Sequence, residues 1–269
     1  MIEELRRELK KQRRENRRNR INELSDCILL HIMSFLEAQD AVQTCILSKR
    51  WKDLCKHATT LTYFRSPTQT LKSFKYAKTC KGFKSWVMSS RDQLCSQISL
   101  TVYTHIEQDE EDLYTLIQYT LSNNLQHLKI KINPNSGPKP ELLPIILTSH
   151  SLTSLLLAYA RDRKYWDPKS PILPKSFHMP ALRTLHLEYV YFVATHNNCA
   201  DPFSNCHVLS TLVLDHCFLV EDAQVLCISN QTLSNLTISS VSTHQFSLFT
   251  PNLSFFDIDS GQVFKFRLN

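Results

Sequence analysis

The chain has 269 residues, 42% of them hydrophobic, and a formal net charge of +6, enough for one large domain or two smaller ones. No apolar run approaches the roughly 18 residues of a membrane-spanning helix, and the N-terminus is charged where a secretory signal would be apolar. Only Gly82, Gly137 and Gly261 are glycine, too few for a phosphate-cradling loop or a dinucleotide fingerprint. The charge is uneven: residues 1–20 carry nine Lys/Arg against four Glu, residues 65–91 carry seven basic residues and no acid, and the remainder is net acidic. Lys10–Arg20, KKQRRENRRNR, is polar throughout. A basic tail over residues 1–18, helical or disordered, suits a nuclear import tag, a nucleic-acid patch or a simply solvated segment. The nine cysteines include no CxxC pair, and the odd count suits reduced thiols in the cytosol or nucleus. Sequons at Asn230, Asn235 and Asn252 are expected to be silent, since no export signal is recognised.

Residues 19–64 form the next block, with three short helical patterns and no room for a catalytic pocket. Ile28, Leu29, Ile32, Phe35 and Leu36 recur at offsets 0, 1, 4, 7 and 8, one stripe of an amphipathic helix that Ser25 or Asp26 can cap. Asp40 leads Ala41, Val42, Cys45 and Ile46 into a second helix, and Ser48 can cap a third in which Trp51, Leu54 and Cys55 share a face. A plain helical bundle would give the same periodicity. The run nevertheless resembles the F-box in its plant form, on Ile21, Leu24, Ile28, Leu29, Ile32, SFL at Ser34–Leu36, DAVQT at Asp40–Thr44 and LSKRW at Leu47–Trp51. The resemblance implies docking to a Skp-type adaptor of cullin–RING ubiquitin ligases through Leu24, Ser25, Ile28, Leu29, Ile32, Leu36, Val42 and Trp51. Ser25 stands where that family has a proline, and Cys55 where a second tryptophan is common; a serine can recover by capping part of what the proline's stiffness supplies.

Residues 65–93 read as a basic helical linker. Its lysines at 72, 75, 78, 81 and 84 step by three, about 60° short of a full turn, and so spiral rather than form one face. Phe74, Ala77, Trp86 and Val87 between them suit a helix that covers the start of the next domain. EQDEED, Glu107–Asp112, holds five carboxylates with nothing to set two apart as acid and base, and is expected to be a solvated loop or helix start.

From residue 94 to 269 the chain repeats. The template L-x-x-L-x-L is met at Leu125–Ile130, Leu152–Leu157, Leu182–Leu187 and Leu209–Leu214, and more loosely at Leu233–Ile238 and Leu253–Ile258, in steps of 27, 30, 27, 24 and 20 residues. CSQISL, Cys95–Leu100, reads as a degenerate first copy. Side chains alternate faces along a strand, so the last two apolar positions of each copy point inward, and neighbouring copies must stack to cover them. The spot three residues beyond holds Asn133, Ala160, Val190, Cys217, Val241 and Gly261. This accounts for Cys217 structurally, and the Cys206–His207 and His216–Cys217 pairs lack the compact spacing of zinc ligands. The terminal VFKFRLN has no polar cap, so the last turn is expected to fray and the chain to be short for the family it resembles.

The fold expected is α/β: a small N-terminal three-helix F-box followed by a curved leucine-rich-repeat solenoid with a parallel concave sheet. Residues flanking the inward leucines face out along that sheet. They are His127, Lys129 and Lys131, then Ser154, Leu156 and Ala158, then Thr184, His186 and Glu188. Thr211, Val213 and Asp215 follow, then Asn235, Thr237 and Ser239, and Phe255, Asp257 and Asp259 close the row. The face runs from basic to acidic. His127, Lys129, Lys131, His186, Glu188, Asp215, Phe255, Asp257 and Asp259 are the expected target-binding positions. The expected role is the substrate-recognition subunit of an SCF-type ubiquitin ligase in the nucleus, the cytoplasm or both, without catalytic residues, metal or cofactor. An adaptor-independent or truncated interaction scaffold is the alternative. Nucleic-acid binding through the basic front ranks behind both and predicts steep salt dependence.

Overall fold

The computed structural model describes residues 3–8, 10, 21–36, 38–44, 46–57, 60–64, 99–104, 110–132, 142–159, 171–220, 222–241, 245–259 and 265–268. The basic linker, most of the basic tail, and Asn133, Ala160 and Gly261 therefore lie outside the described residues. Two compact units divide the chain, residues 1–58 and 59–269.

In the first unit, residues 3–8 are helical, and three further helices follow: α1 (Asp26–Ser34), α2 (Ala38–Thr44) and α3 (Lys49–Lys56). Leu29 and Met33, one turn apart on α1, are buried with Ala41 of α2 and Trp51, Leu54 and Cys55 of α3. Ser48 caps α3 as expected, its hydroxyl accepting from the Trp51 N–H at 3.3 Å. α2 begins two residues before Asp40, and Ile46 lies beyond its end as an exposed side chain rather than on its apolar face. Cys55, where the resemblance has a tryptophan, is stitched to α2: its thiol donates to the Ala41 carbonyl at 3.1 Å and lies 3.5 Å from the Thr44 hydroxyl.

The second unit is built on parallel strands. An eight-stranded sheet takes the order β1 (Thr60–Phe64), β2 (Ser99–Thr104), β3 (His127–Ile132), β4 (Ser154–Tyr159), β5 (Thr184–Glu188), β8 (Thr211–Asp215), β11 (Asn235–Ser239), β13 (Phe255–Asp259). A second parallel sheet has the order β14 (Lys265–Leu268), β12 (Gln245–Phe249), β10 (Val225–Ser229), β7 (Cys199–Ala200), and β6 (Tyr191–Phe192) pairs with β9 (Phe218–Leu219). From β10 onward the chain alternates between the two larger sheets, one strand in each per repeat. Helix α4 (Glu110–Ser122) starts within the acidic EQDEED run, as expected, and α5 (Leu142–Leu147) follows β3. Asn124 takes a left-handed φ of 62° just past α4, where the Leu125 N–H turns back to the Thr120 carbonyl.

The register is the one the leucines predict. Leu128, Leu155, Leu185, Leu212 and Leu236 are aligned across five neighbouring strands, as are Ile130, Leu157, Leu187, Leu214 and Ile238, and all ten are buried. Leu125, Leu152, Leu182, Leu209 and Leu233 ahead of them are buried too, as are Val190, Cys217 and Val241 at the inward spot. Burial pushes the Cys217 thiol up to about 12, as a packed apolar group rather than a reactive one.

The first copy differs from the expectation. Leu100 pairs with Leu128 and Val102 with Ile130, so the degenerate copy is displaced by two residues from the CSQISL reading. A further strand, β1, precedes it: Leu61 aligns with Leu100 inside a segment the sequence assigned to the helical block.

Two features recur along the sheet among the described residues. Tyr189, His216 and Ser240 follow their strands at φ 56°, 49° and 51°, and their N–H groups donate to the carbonyls of Asp215, Ser239 and Asp259 in the next turn. On the entry side, the hydroxyls of Thr153, Ser210, Ser234 and Ser254 donate to carbonyls of the preceding turn at 3.0–3.1 Å. Asn230 is buried: its amide donates to the carbonyls of Phe203 and Cys206 and its oxygen accepts from Thr232, so this sequon is closed by structure. Cys199 and Cys227, on neighbouring strands with Cα atoms 6.1 Å apart, are joined by a disulfide, against the expectation of reduced thiols throughout.

Candidate functional site

Two surfaces stand out. On the helical unit, α1 turns Leu29 and Met33 inward and leaves Ile28 and Ile32 exposed at 48% and 38%. These two lie one turn apart and share a face. Phe35, just past the helix, is 76% exposed, its ring edge-on to His31 at 4.8 Å. Ile21, Ile46 and Leu47 are exposed on the same unit. Isolated exposed leucines or isoleucines need no explanation, but large apolar side chains on consecutive turns of one helix leave a face that water covers poorly.

The expected docking residues separate by burial. Ser25, Ile28 and Ile32 are exposed, Leu24 and Leu36 are half-buried, and Val42 lies on α2. Leu29 and Trp51 are interior and hold the face from beneath; the Trp51 indole N–H has no partner among the described residues.

Ser25 is the N-cap of α1, at φ −65° and ψ 155°, yet its side chain makes no capping bond, which corrects the capping role expected for it. The Asp26 carboxylate is engaged by Arg50, whose Nε donates to Oδ1 at 2.8 Å and whose Nη2 reaches the same oxygen at 2.5 Å. Arg50 also donates to the main-chain carbonyls of Asn22 and Leu24, the latter at 2.6 Å. One guanidinium on α3 thus gathers the segment that leads into α1. Sequence reasoning quoted LSKRW for its resemblance and missed this use of its arginine, which no periodicity in residues 21–50 reveals.

The second surface is the outward face of the large sheet. Lys131 Nζ lies 3.7 Å from Glu188 Oε2, across Ala158, which stands between them in the register on the same face and is fully buried there. His186 is half-buried on β5, its Nε2 buried without a partner among the described residues. Burial holds its imidazole below the ordinary histidine value; Glu188 and Asp215 pull upward and Lys131 adds to the depression. His216 Nδ1 is 2.7 Å from the Asp215 carboxylate, and its ring lies 4.8 Å from that of Tyr189. Sequence reasoning weighed His216 only as a metal ligand and passed over Tyr189; both follow their strands directly. Lys129, Phe255, Asp257 and Asp259 are exposed and His127 is half-buried. The run from basic to acidic is thus crossed by the Lys131–Glu188 ion pair and exposed at Lys129, Asp257 and Asp259. Among the described residues no three His, Cys, Asp or Glu side chains converge as metal ligands do, and no helix is long and apolar enough to cross a membrane.

Residues 21–60 match the family model of the F-box domain. The chain is similar to a putative FBD-associated F-box protein of Arabidopsis thaliana, 28% identical over 248 residues, covering 86% of this chain and 47% of that protein. It is also similar to an F-box/LRR-repeat protein of the same plant, 28% identical over 254 residues, covering 90% and 40%. An F-box/FBD/LRR-repeat protein of Arabidopsis is 30% identical over 177 residues, covering 64% and 38%. The chain spans about half the length of the curated relatives it matches. No solved structure matches it significantly.

Proposed function

From the premise that this is a plant-type F-box protein with leucine-rich repeats, we propose that it serves as the substrate receptor of an SCF-type ubiquitin ligase, in the nucleus, the cytoplasm or both. The helical unit clips to a Skp-type adaptor, and through it to a cullin–RING ligase. Leu24, Ser25, Ile28, Ile32, Leu36 and Val42 form the docking face, with Leu29 and Trp51 beneath it. The repeats coil into a leucine-rich-repeat solenoid whose large sheet lines the concave side, where solenoids present their binding surfaces. His127, Lys129, Lys131, His186, Glu188, Asp215, Phe255, Asp257 and Asp259 select the target there. The chain carries no chemistry of its own, and ubiquitin transfer belongs to its partners.

The observation that carries this reading is the exposed Ile28–Ile32 pair over a packed interior, within the residues that match the F-box model. Co-purification with a Skp-type adaptor and cullin tests it, wild type against Leu24→Ala with Ile32→Asp. A charge forced into an apolar contact costs several kcal/mol, so the variant should lose the adaptor. Adaptor capture that survives the double change, or that never occurs in the wild type, removes the reading and favours an adaptor-independent scaffold. As a second arm, reversing the charges of Lys129, Lys131, Asp257 and Asp259 together should abolish target capture and leave the adaptor bound.

A further inference from the structure

The Arg50 clasp points beyond the docking face to how that face is held. Its hydrogen bonds go to the Asp26 carboxylate and to the carbonyls of Asn22 and Leu24, so three positions of the entry segment converge on one planar group. The ion pair itself is exposed, 37% for the arginine side chain and 61% for the aspartate. An exposed pair contributes little energy. Its geometry matters more, because a guanidinium offers five donors in a fixed fork that an ammonium cannot reproduce.

Beyond Arg50 the segment has two main-chain anchors, and at one of them the Ser25 carbonyl accepts from the Leu29 N–H at 3.0 Å as α1 begins. Ser25 makes no side-chain cap, and among the described residues its N–H donates no hydrogen bond. The Leu24 N–H closes a turn onto the Ile21 carbonyl at 3.3 Å. Ahead of the Ser25 carbonyl, the path of the chain into α1 rests chiefly on Arg50, which holds the carbonyls of Asn22 and Leu24. We propose that Arg50 is a positioning residue: it pre-orders residues 22–26 so that Leu24 and Ser25 meet the adaptor without first being immobilised. This rests on the docking reading above. Ordering a segment before contact removes a cost that binding otherwise bears.

The backbone at Ser25 supplies an independent handle. Its φ of −65° is the angle a proline ring fixes. Ser25→Pro should therefore stiffen by covalent geometry what Arg50 holds by hydrogen bonds.

The test uses the full chain and a purified Skp-type adaptor. Wild type, Arg50→Ala, Arg50→Lys and Arg50→Ala with Ser25→Pro are compared by affinity and by hydrogen exchange at the Leu24 amide, the N–H in residues 22–26 that closes a turn, onto the Ile21 carbonyl. Arg50→Ala should speed exchange at that amide and weaken the complex on the order of tenfold, with the helical circular dichroism unchanged. Arg50→Lys, which keeps the charge and the alkyl stem, should resemble alanine, and it gives the same answer if alanine melts the unit. Adding Ser25→Pro should restore most of the affinity. Unchanged exchange in Arg50→Ala, unchanged affinity beside faster exchange, or no recovery with proline each overturns the proposal. A wild type that binds no adaptor overturns the docking reading and this proposal with it. That failure is told apart because Arg50→Ala still speeds exchange.

Discussion

His186 sits on β5 among charges of both signs, with Lys131, Glu188 and Asp215 all acting on its imidazole. Burial wins, and the folded state prefers the ring neutral below the ordinary value of 6.5. The unfolded chain therefore takes up the proton first. Above about pH 6.5 the folded state bears no penalty from this site, and as the pH falls through that value toward the lower folded pKa, stability is lost. His186→Gln should flatten this fall while leaving stability at neutral pH within about 1 kcal/mol. Urea midpoints of the two proteins across that range check it, and parallel curves would show that His186 is not the group responsible. At this scale the sequence was legible where packing decides and silent where hydrogen bonds decide. Leu29, Trp51 and Leu54 fall where apolar periodicity puts them. The missing cap at Ser25 and the fork of Arg50 depend on two segments meeting in space, which no local spacing encodes.

The repeat turn is the element that recurs, and glycine is nearly absent from the chain. Tyr189, His216 and Ser240 therefore occupy left-handed backbone that glycine adopts without strain. Each left-handed non-glycine residue costs roughly 1–2 kcal/mol, offset by the forward hydrogen bond of its N–H. Ser240→Gly keeps that bond and removes the strain, at the expense of a looser unfolded chain. It should stabilise the second unit by about 0.5–1 kcal/mol. Ser240→Val should destabilise it by more than that, since a branched side chain is least tolerated there. Equal effects of the two in chemical denaturation would mean that φ is relaxed in solution. The strands were readable because two inward leucines per copy leave a strong mark. β2 was misplaced by two residues because Ile98 and Leu100 satisfy the template as well as Leu100 and Val102 do. β1 escaped because TLTYF lacks the leading leucine and follows the helical block without a break. The second sheet went unread although Leu226 and Ile228, and Phe246 and Leu248, alternate as a half-buried strand should.

Across the whole molecule two units stand apart: one short and helical with an apolar face, the other long and built of parallel strands paired with their neighbours. The disulfide adds one constraint to this order. Cys199 and Cys227 close a loop of 28 residues between strands of the second sheet. A stack bonded only to its neighbours has no keystone, so under tension it should peel rather than burst. Pulled by the ends of residues 59–269, the strands should release in steps near the repeat length, about 70–100 Å of chain apiece. The oxidised chain should come out shorter than the reduced one by about 100 Å, the slack locked behind the Cys199–Cys227 bond. A single rupture in an optical trap, with no difference on reduction, would mean that the turns fail together. The modest pairing of one two-residue strand thus decides how much length the molecule can pay out under load.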